Sequence, residues 1–227
     1  MTQKLTILFD LDGTLVDTAP DLVLAHNHVM KKFGFPTKPV NEIKALVGMG
    51  ARTMMGKILW NKAKEELKKV KEKDIKEEMV KEFINFYGDN ILVESKLISG
   101  AKEFLTWSKE NKISMAVCTN KQEHLAIDLL KKIGIYNFFE YVAGCDTFDY
   151  SKPDPRHLTS VIEILNGDIK KAIMIGDSEV DARSAENAAL PFIVLKDGYT
   201  NTKISEMKYD HVIKDFKNLD KIIKNYL

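Results

Sequence analysis

The chain has 227 residues, enough for one full α/β domain carrying an insertion or for two small domains. Its 34 basic and 33 acidic residues leave a formal net charge of +1, so bulk charge does not drive it onto nucleic acid or a membrane surface. No apolar run reaches the length of a membrane span, the opening Met1-Thr2-Gln3-Lys4 leaves no room for a signal peptide, and Cys118 and Cys145 form no paired motif. The expectation is a reduced, cytoplasmic protein with neither nucleic acid nor membrane among its partners.

Residues 5–9, Leu-Thr-Ile-Leu-Phe, form a short apolar run that reads as a buried strand of a parallel sheet. From 17 to 92 the pattern is helical. Leu22, Ala25, Val29 and Phe33 fall at helical spacing, as do Met79, Phe83 and Phe86, and Gly34, Pro36 and Pro39 break the helices apart. After Gly100 strand and helix alternate: helix 101–110, strand 113–118, helix 123–133 stopped by Gly134, strand 141–143, helix 155–165, strand 172–175, helix 180–189 and strand 192–195. A last strand at 211–213 and a closing helix at 216–226 complete the pattern. Such alternation predicts an α/β fold, a doubly wound parallel sheet of Rossmann-like type with helices on both faces. The organisation expected is a core of 1–16 and 93–227 and a second, smaller helical domain, 17–92, inserted after the first strand and able to act as a lid.

The chemistry gathers at strand ends. Asp10 and Asp12 follow the first strand, Thr119 and Asn120 follow strand 113–118, Ser151-Lys152-Pro153 lies in the loop after strand 141–143, and Asp177 and Asp181 follow strand 172–175. In open α/β sheets ligands bind beyond the carboxyl ends of the strands. Ionised carboxylates at buried strand ends need a partner, and a cation is the economical one. Hard carboxylate oxygens favour Mg²⁺, and no His or Cys cluster competes. Lys152 and Thr119 offer donors to phosphate oxygens. One aspartate can attack phosphorus and a second can serve as general acid and base. Gly13 permits a tight turn beside the phosphate.

Asp10-Leu11-Asp12-Gly13-Thr14-Leu15-Val16-Asp17-Thr18 resembles the nucleophile motif of the haloacid dehalogenase (HAD) superfamily. Thr119-Asn120, Lys152-Pro153 and Gly176-Asp177-Ser178 with Asp181 resemble its other three motifs, in order. The resemblance implies Asp10 as nucleophile and Asp12 as acid/base. It implies Mg²⁺ held by Asp10, the Asp12 backbone carbonyl and Asp177, with Asp181 in support, and a helical cap after the first motif. The true dehalogenases lack an acid at the position of Asp12, so phosphate-ester chemistry is implied here. Val47-Gly48-Met49-Gly50-Ala51-Arg52, Thr119-Asn120-Lys121, Ser151-Lys152-Pro153-Asp154-Pro155 and Asp197-Gly198-Tyr199 are similar to the phosphoglycolate phosphatase branch.

The function so implied is Mg²⁺-dependent hydrolysis of a small phosphate monoester, 2-phosphoglycolate first, through an aspartyl-phosphate, by a monomer or homodimer. Gly13, Thr14 and Asn120 would line the phosphate. Gly48, Gly50 and Arg52 would face the leaving group, Arg52 pairing with its carboxylate. The alternatives are another phosphometabolite, pyrophosphate or phosphomutase chemistry. A phospho-acceptor regulatory domain is disfavoured, because there the phosphorylated Asp follows an internal strand and no large insert is present.

Overall fold

The computed structural model describes residues 4–43 and 72–227, with side chains described outside 72–76. The expected cap loop with Gly48, Gly50 and Arg52 lies outside the described residues. In chain order the strands are β1 (Thr6–Phe9), β2 (Val16–Asp17), β3 (Lys96–Leu97), β4 (Ser114–Cys118), β5 (Tyr141–Ala143), β6 (Ala172–Gly176), β7 (Phe192–Leu195) and β8 (His211–Ile213). Six of them form one parallel sheet in the order β5-β4-β1-β6-β7-β8, while β2 and β3 form a separate two-stranded antiparallel ribbon.

β1 sits at the centre because every one of its residues is buried and nearly all are apolar or β-branched. Successive side chains point to opposite faces. Ile7 and Phe9 therefore enter one core, with residues of helices α4 (Ala101–Glu110), α5 (Glu123–Lys132) and α8 (Leu219–Ile223). Leu8 enters the other, with Leu158, Val161 and Ile162 of α6 (Arg156–Ile164) and Ala182 and Ala185 of α7 (Glu179–Asn187). The Phe9 ring meets Phe104 and Phe139 edge-on, at centroid distances of 6.3 and 5.9 Å. Removing such a ring from a packed core costs about 3–5 kcal/mol.

The chain winds outward from β4 to β5 on one side of β1, then crosses to β6 on the other. This reversal places a topological switch point at the carboxyl end of β1. Phe9 is level with Val117 of β4 and Ile175 of β6, so Asp10, Thr119 and Asp177 all emerge on that rim.

Between β2 and β3 lies the helical insert, of which α1 (Ala19–Lys32), α2 (Val40–Ile43) and α3 (Glu72–Asp89) are described. α1 and α3 pack together, and Leu22, Val29, Met79 and Phe83 belong to the same buried core. Both crossings between insert and core run through the β2–β3 ribbon, where Val16 faces Leu97 and Asp17 faces Lys96. The buried Asp21 carboxylate, in the first turn of α1, reinforces the crossing. It accepts from the N–H groups of Val93, Glu94 and Ser95 at 2.9–3.0 Å and from Ser95 Oγ at 2.6 Å. Among the described residues no helix is long and apolar enough to cross a membrane.

The sheet strands and their connecting helices stand within two residues of the expected positions, with two differences. The ribbon was not expected, since strands of two residues leave no periodic signal. The closing helix is shorter than 216–226: the Phe216 N–H donates to the Ser99 carbonyl at 2.9 Å and Asn218 takes a left-handed φ of 62°, so α8 starts only at Leu219.

His157, fully buried on α6, donates from Nε2 to the Gly144 carbonyl at 3.0 Å. Burial pushes its pKa down to about 4. The unfolded chain therefore takes up a proton that the fold refuses, and stability falls as pH drops from about 6.5 toward 4, by about 3 kcal/mol for this residue alone. His157→Gln keeps a donor for Gly144. It is expected to flatten the fall in Tm between pH 6.5 and 4, and an unchanged slope would contradict this account.

Candidate active site

Asp10 is fixed by the sheet itself: its N–H donates to Ile175 O of β6 at 2.9 Å. The Lys152 ammonium, brought in by the loop after β5, lies 2.8 Å from Asp10 Oδ1 and 2.6 Å from Asp181 Oδ1. Asp181 is held from the other side as well. Its Oδ2 accepts from Ser178 N at 3.1 Å and Ser178 Oγ at 2.7 Å, capping the start of α7. Asp177 Oδ1 accepts from Thr14 Oγ1 at 2.9 Å and Oδ2 from Tyr199 N at 2.5 Å. Asp10, Asp177 and Asp181 are all buried, and one carboxylate oxygen from each lies within 4.8 Å of the others.

Three carboxylates and one ammonium out of water leave an excess of negative charge. Burial raises the Asp10 pKa to about 6 against the pull of Lys152, with Asp181 adding to the rise. Burial and the charges of Asp10 and Asp181 push Asp177 well above the carboxylate range. Burial alone would depress Lys152, yet Asp10 and Asp181 together hold it above the ordinary lysine value. The donor set is all oxygen, with no sulfur or imidazole in the cluster, and it fits a small hard divalent cation.

Asp12 stands apart from this cluster. Its Oδ1 accepts from Thr18 Oγ1 at 2.7 Å and its Oδ2 from Lys121 Nζ at 2.9 Å. Lys121 is buried, with its ammonium 4.5 Å from the centre of the Tyr87 ring on α3. Thr119 follows β4, bonded through its N–H to Ala143 O at 2.9 Å, and its Oγ1 accepts the Lys121 N–H at 3.2 Å. Asn120 Nδ2 donates to Lys152 O at 3.1 Å, joining the two loops that carry Thr119 and Lys152.

Of the residues expected at the phosphate, Thr14 spends its hydroxyl proton on Asp177, and the Gly13 N–H donates to Val16 O at 2.8 Å. Gly13 is required where it stands. Its φ is +84°, and an added Cβ would lie 2.5 Å from Asp177 Oδ2 and 2.9 Å from the Tyr199 ring. Tyr199 is a joint between site and ribbon: its backbone holds Asp177, while its hydroxyl donates to Asp17 and accepts the Ala19 N–H at 2.9 Å.

Lys121, Tyr199, Thr18 and Tyr87 join the site beyond the residues expected from the sequence. Lys121, Tyr199 and Thr18 lie inside stretches already singled out. The available signal was charge: four acids on one rim need more than one buried cation.

The family model of haloacid dehalogenase-like hydrolases matches residues 7–195. The chain is 40% identical over 212 residues to the phosphoglycolate phosphatase of Agrobacterium fabrum, covering 93% of this chain and 89% of that protein. It is 37% identical over 216 residues to that of Caulobacter vibrioides, covering 95% and 89%. A crystal structure described as a predicted phosphoglycolate phosphatase from Haemophilus somnus superposes with a TM-score of 0.91 at 30% identity, over 98% of this chain and 99% of that one. The chain belongs to the haloacid dehalogenase-like hydrolases. Within them it is a phosphoric monoester hydrolase.

Gly13→Ala is expected to lower stability by about 1–2 kcal/mol through the left-handed backbone. It should cut turnover by about a hundredfold, because Asp177 must move. Thermal unfolding and phosphate release, measured together, check this; full activity would show that Asp177 tolerates the displacement.

Proposed function

We propose that this hydrolase is a Mg²⁺-dependent phosphatase that cleaves a small phosphate monoester, 2-phosphoglycolate first, through an aspartyl-phosphate on Asp10. The observation that carries the reading is the separation of two carboxylates. Asp10 lies beside Lys152 and two further acids, while Asp12, two residues on, is held by Lys121 and Thr18. One carboxylate is thus set for attack and the other for proton transfer. The substrate follows from relatives that bear the name phosphoglycolate phosphatase and align over nearly the whole chain.

Asp10 attacks phosphorus with a carboxylate oxygen while Asp12 gives a proton to the departing ester oxygen. Water then attacks phosphorus and gives a proton to Asp12; the bond from phosphorus to the Asp10 oxygen breaks, inorganic phosphate leaves and both aspartates are restored. Lys152 and Thr119 hold the phosphate oxygens. Asp10, Asp177, Asp181 and the Asp12 backbone carbonyl would hold Mg²⁺, which when bound offsets the repulsion between phosphate and nucleophile. Residues 17–92 act as the cap over a core of 1–16 and 93–227, excluding water and admitting small substrates.

Asp10→Asn is expected to fold normally and lose turnover by at least about a thousandfold. Acid quenching of the wild type should trap phosphate on a peptide containing residue 10, and phosphate trapped elsewhere would end this assignment of the nucleophile.

Mg²⁺ at a hundred times its Kd should stabilise the wild type by about 2.7 kcal/mol and raise its Tm. Asp177→Asn should abolish most of that rise. A Tm indifferent to Mg²⁺, with activity unimpaired by chelator, would remove the metal from the scheme.

A further inference from the structure

Next to Asp12 stands the buried Lys121 ammonium, and the ring centre of the buried Tyr87 lies 4.5 Å from it. Lys121 is 8% exposed, and its ammonium carries three N–H groups; the Asp12 carboxylate is its one salt-bridge partner among the described residues. Against it lies Tyr87, 1% exposed, from the last turns of α3. The Tyr87 hydroxyl is buried and has no hydrogen-bond partner among the described residues. Burial, with the Asp12 and Asp21 charges, keeps this phenol protonated, so it remains a donor at any working pH. Buried polar groups are rarely left unsatisfied, and those that are call for a missing partner. An ammonium and a phenol hydroxyl together match an anionic acceptor with two oxygens.

We propose that Lys121 and Tyr87 form a subsite for the carboxylate of the substrate's leaving group. The proposal rests on the reading of Asp12 as the group that protonates the leaving oxygen. In 2-phosphoglycolate the carboxylate carbon is two bonds from that oxygen. A leaving oxygen hydrogen-bonded to Asp12 thus brings the carboxylate within reach of the ammonium 2.9 Å from Asp12 Oδ2. Lys152, bound to Asp10 and Asp181, serves the phosphate end, and Lys121 serves the other. Because Tyr87 belongs to the helical insert and Lys121 to the loop after β4, the carboxylate bridges insert and core. A substrate lacking it leaves the buried Tyr87 hydroxyl unpaired and Lys121 with Asp12 alone, a condition that favours discrimination.

The test uses the Mg²⁺-loaded enzyme with 2-phosphoglycolate and with ethyl phosphate, which has the same phosphate end and no carboxylate. The wild type should favour phosphoglycolate in kcat/KM. Lys121→Gln should reduce that preference by about ten- to a hundredfold, the range of a charge-assisted hydrogen bond, whatever it does to both rates through Asp12. Lys121→Arg should keep most of the preference. Tyr87→Phe, which retains the ring and loses only the hydroxyl, should reduce it by about three- to tenfold and carries the test if Lys121→Gln does not fold. Glycolate, as an inhibitor of ethyl phosphate hydrolysis, should weaken in Lys121→Gln by the same factor as the preference. If the wild-type preference survives both Lys121→Gln and Tyr87→Phe, the subsite is wrong and the substrate reading stands. If the wild type shows no preference for phosphoglycolate, the substrate reading falls and the subsite falls with it.

Discussion

The ammonium of Lys152 lies between Asp10 and Asp181, and Asp177 completes the group of three buried carboxylates beside them. Removing charges from water costs several kcal/mol per ion unless partners and hydrogen bonds replace the lost solvent. The fold supplies those partners from separate loops. Thr14 comes from the turn after β1, Ser178 from the start of α7, Tyr199 from the segment after β7, and Lys152 from the loop after β5. Each loop is in place only if its strand is in register with its neighbour, and through β4 and β6 with β1. The site therefore depends on the whole sheet, and the central strand order is its precondition.

A short turn follows Asp10 and Asp12, the two carboxylates of the proposed chemistry. The Leu11 carbonyl accepts from the N–H groups of Leu15 and Val16 at 3.0 and 3.1 Å, and Leu11 itself is buried. The chain turns over residues 13–15, closed by the Asp12–Val16 bridge, and Asp10 and Asp12 meet different partners. One carboxylate meets Lys152 and the other Lys121. Two acids of the same type, two positions apart, thus acquire different surroundings from backbone geometry alone.

Much of this was legible in the sequence because the strands are short, apolar and separated by helices with clear stops. The residues after β1, β4 and β6 had to be rim residues once those strands were found, which located Asp10, Thr119 and Asp177. The partners were harder to see. Lys121 and Tyr199 carry no signal of their own in a lysine-rich chain with several tyrosines, and their roles depend on distances between loops far apart in sequence. The Asp21 clasp on residues 93–95 uses main-chain donors, to which side-chain periodicity is blind. The expected organisation into core and cap rests on the change of pattern near residues 17 and 92, and its loop around Arg52 lies outside the described residues.

Tyr199 has a consequence of its own. Its backbone holds Asp177, and its hydroxyl holds Asp17 and the start of α1, where the chain crosses into the helical insert. Any rotation of the insert that moves Asp17 pulls on the residue that fixes Asp177. With the proposed cation in the acidic cluster, the orientation of the insert and the cluster's affinity for it would be linked functions. By reciprocity, whatever ion tightens Asp177 must restrict the insert's angle by the same free energy with which the insert's angle favours the ion.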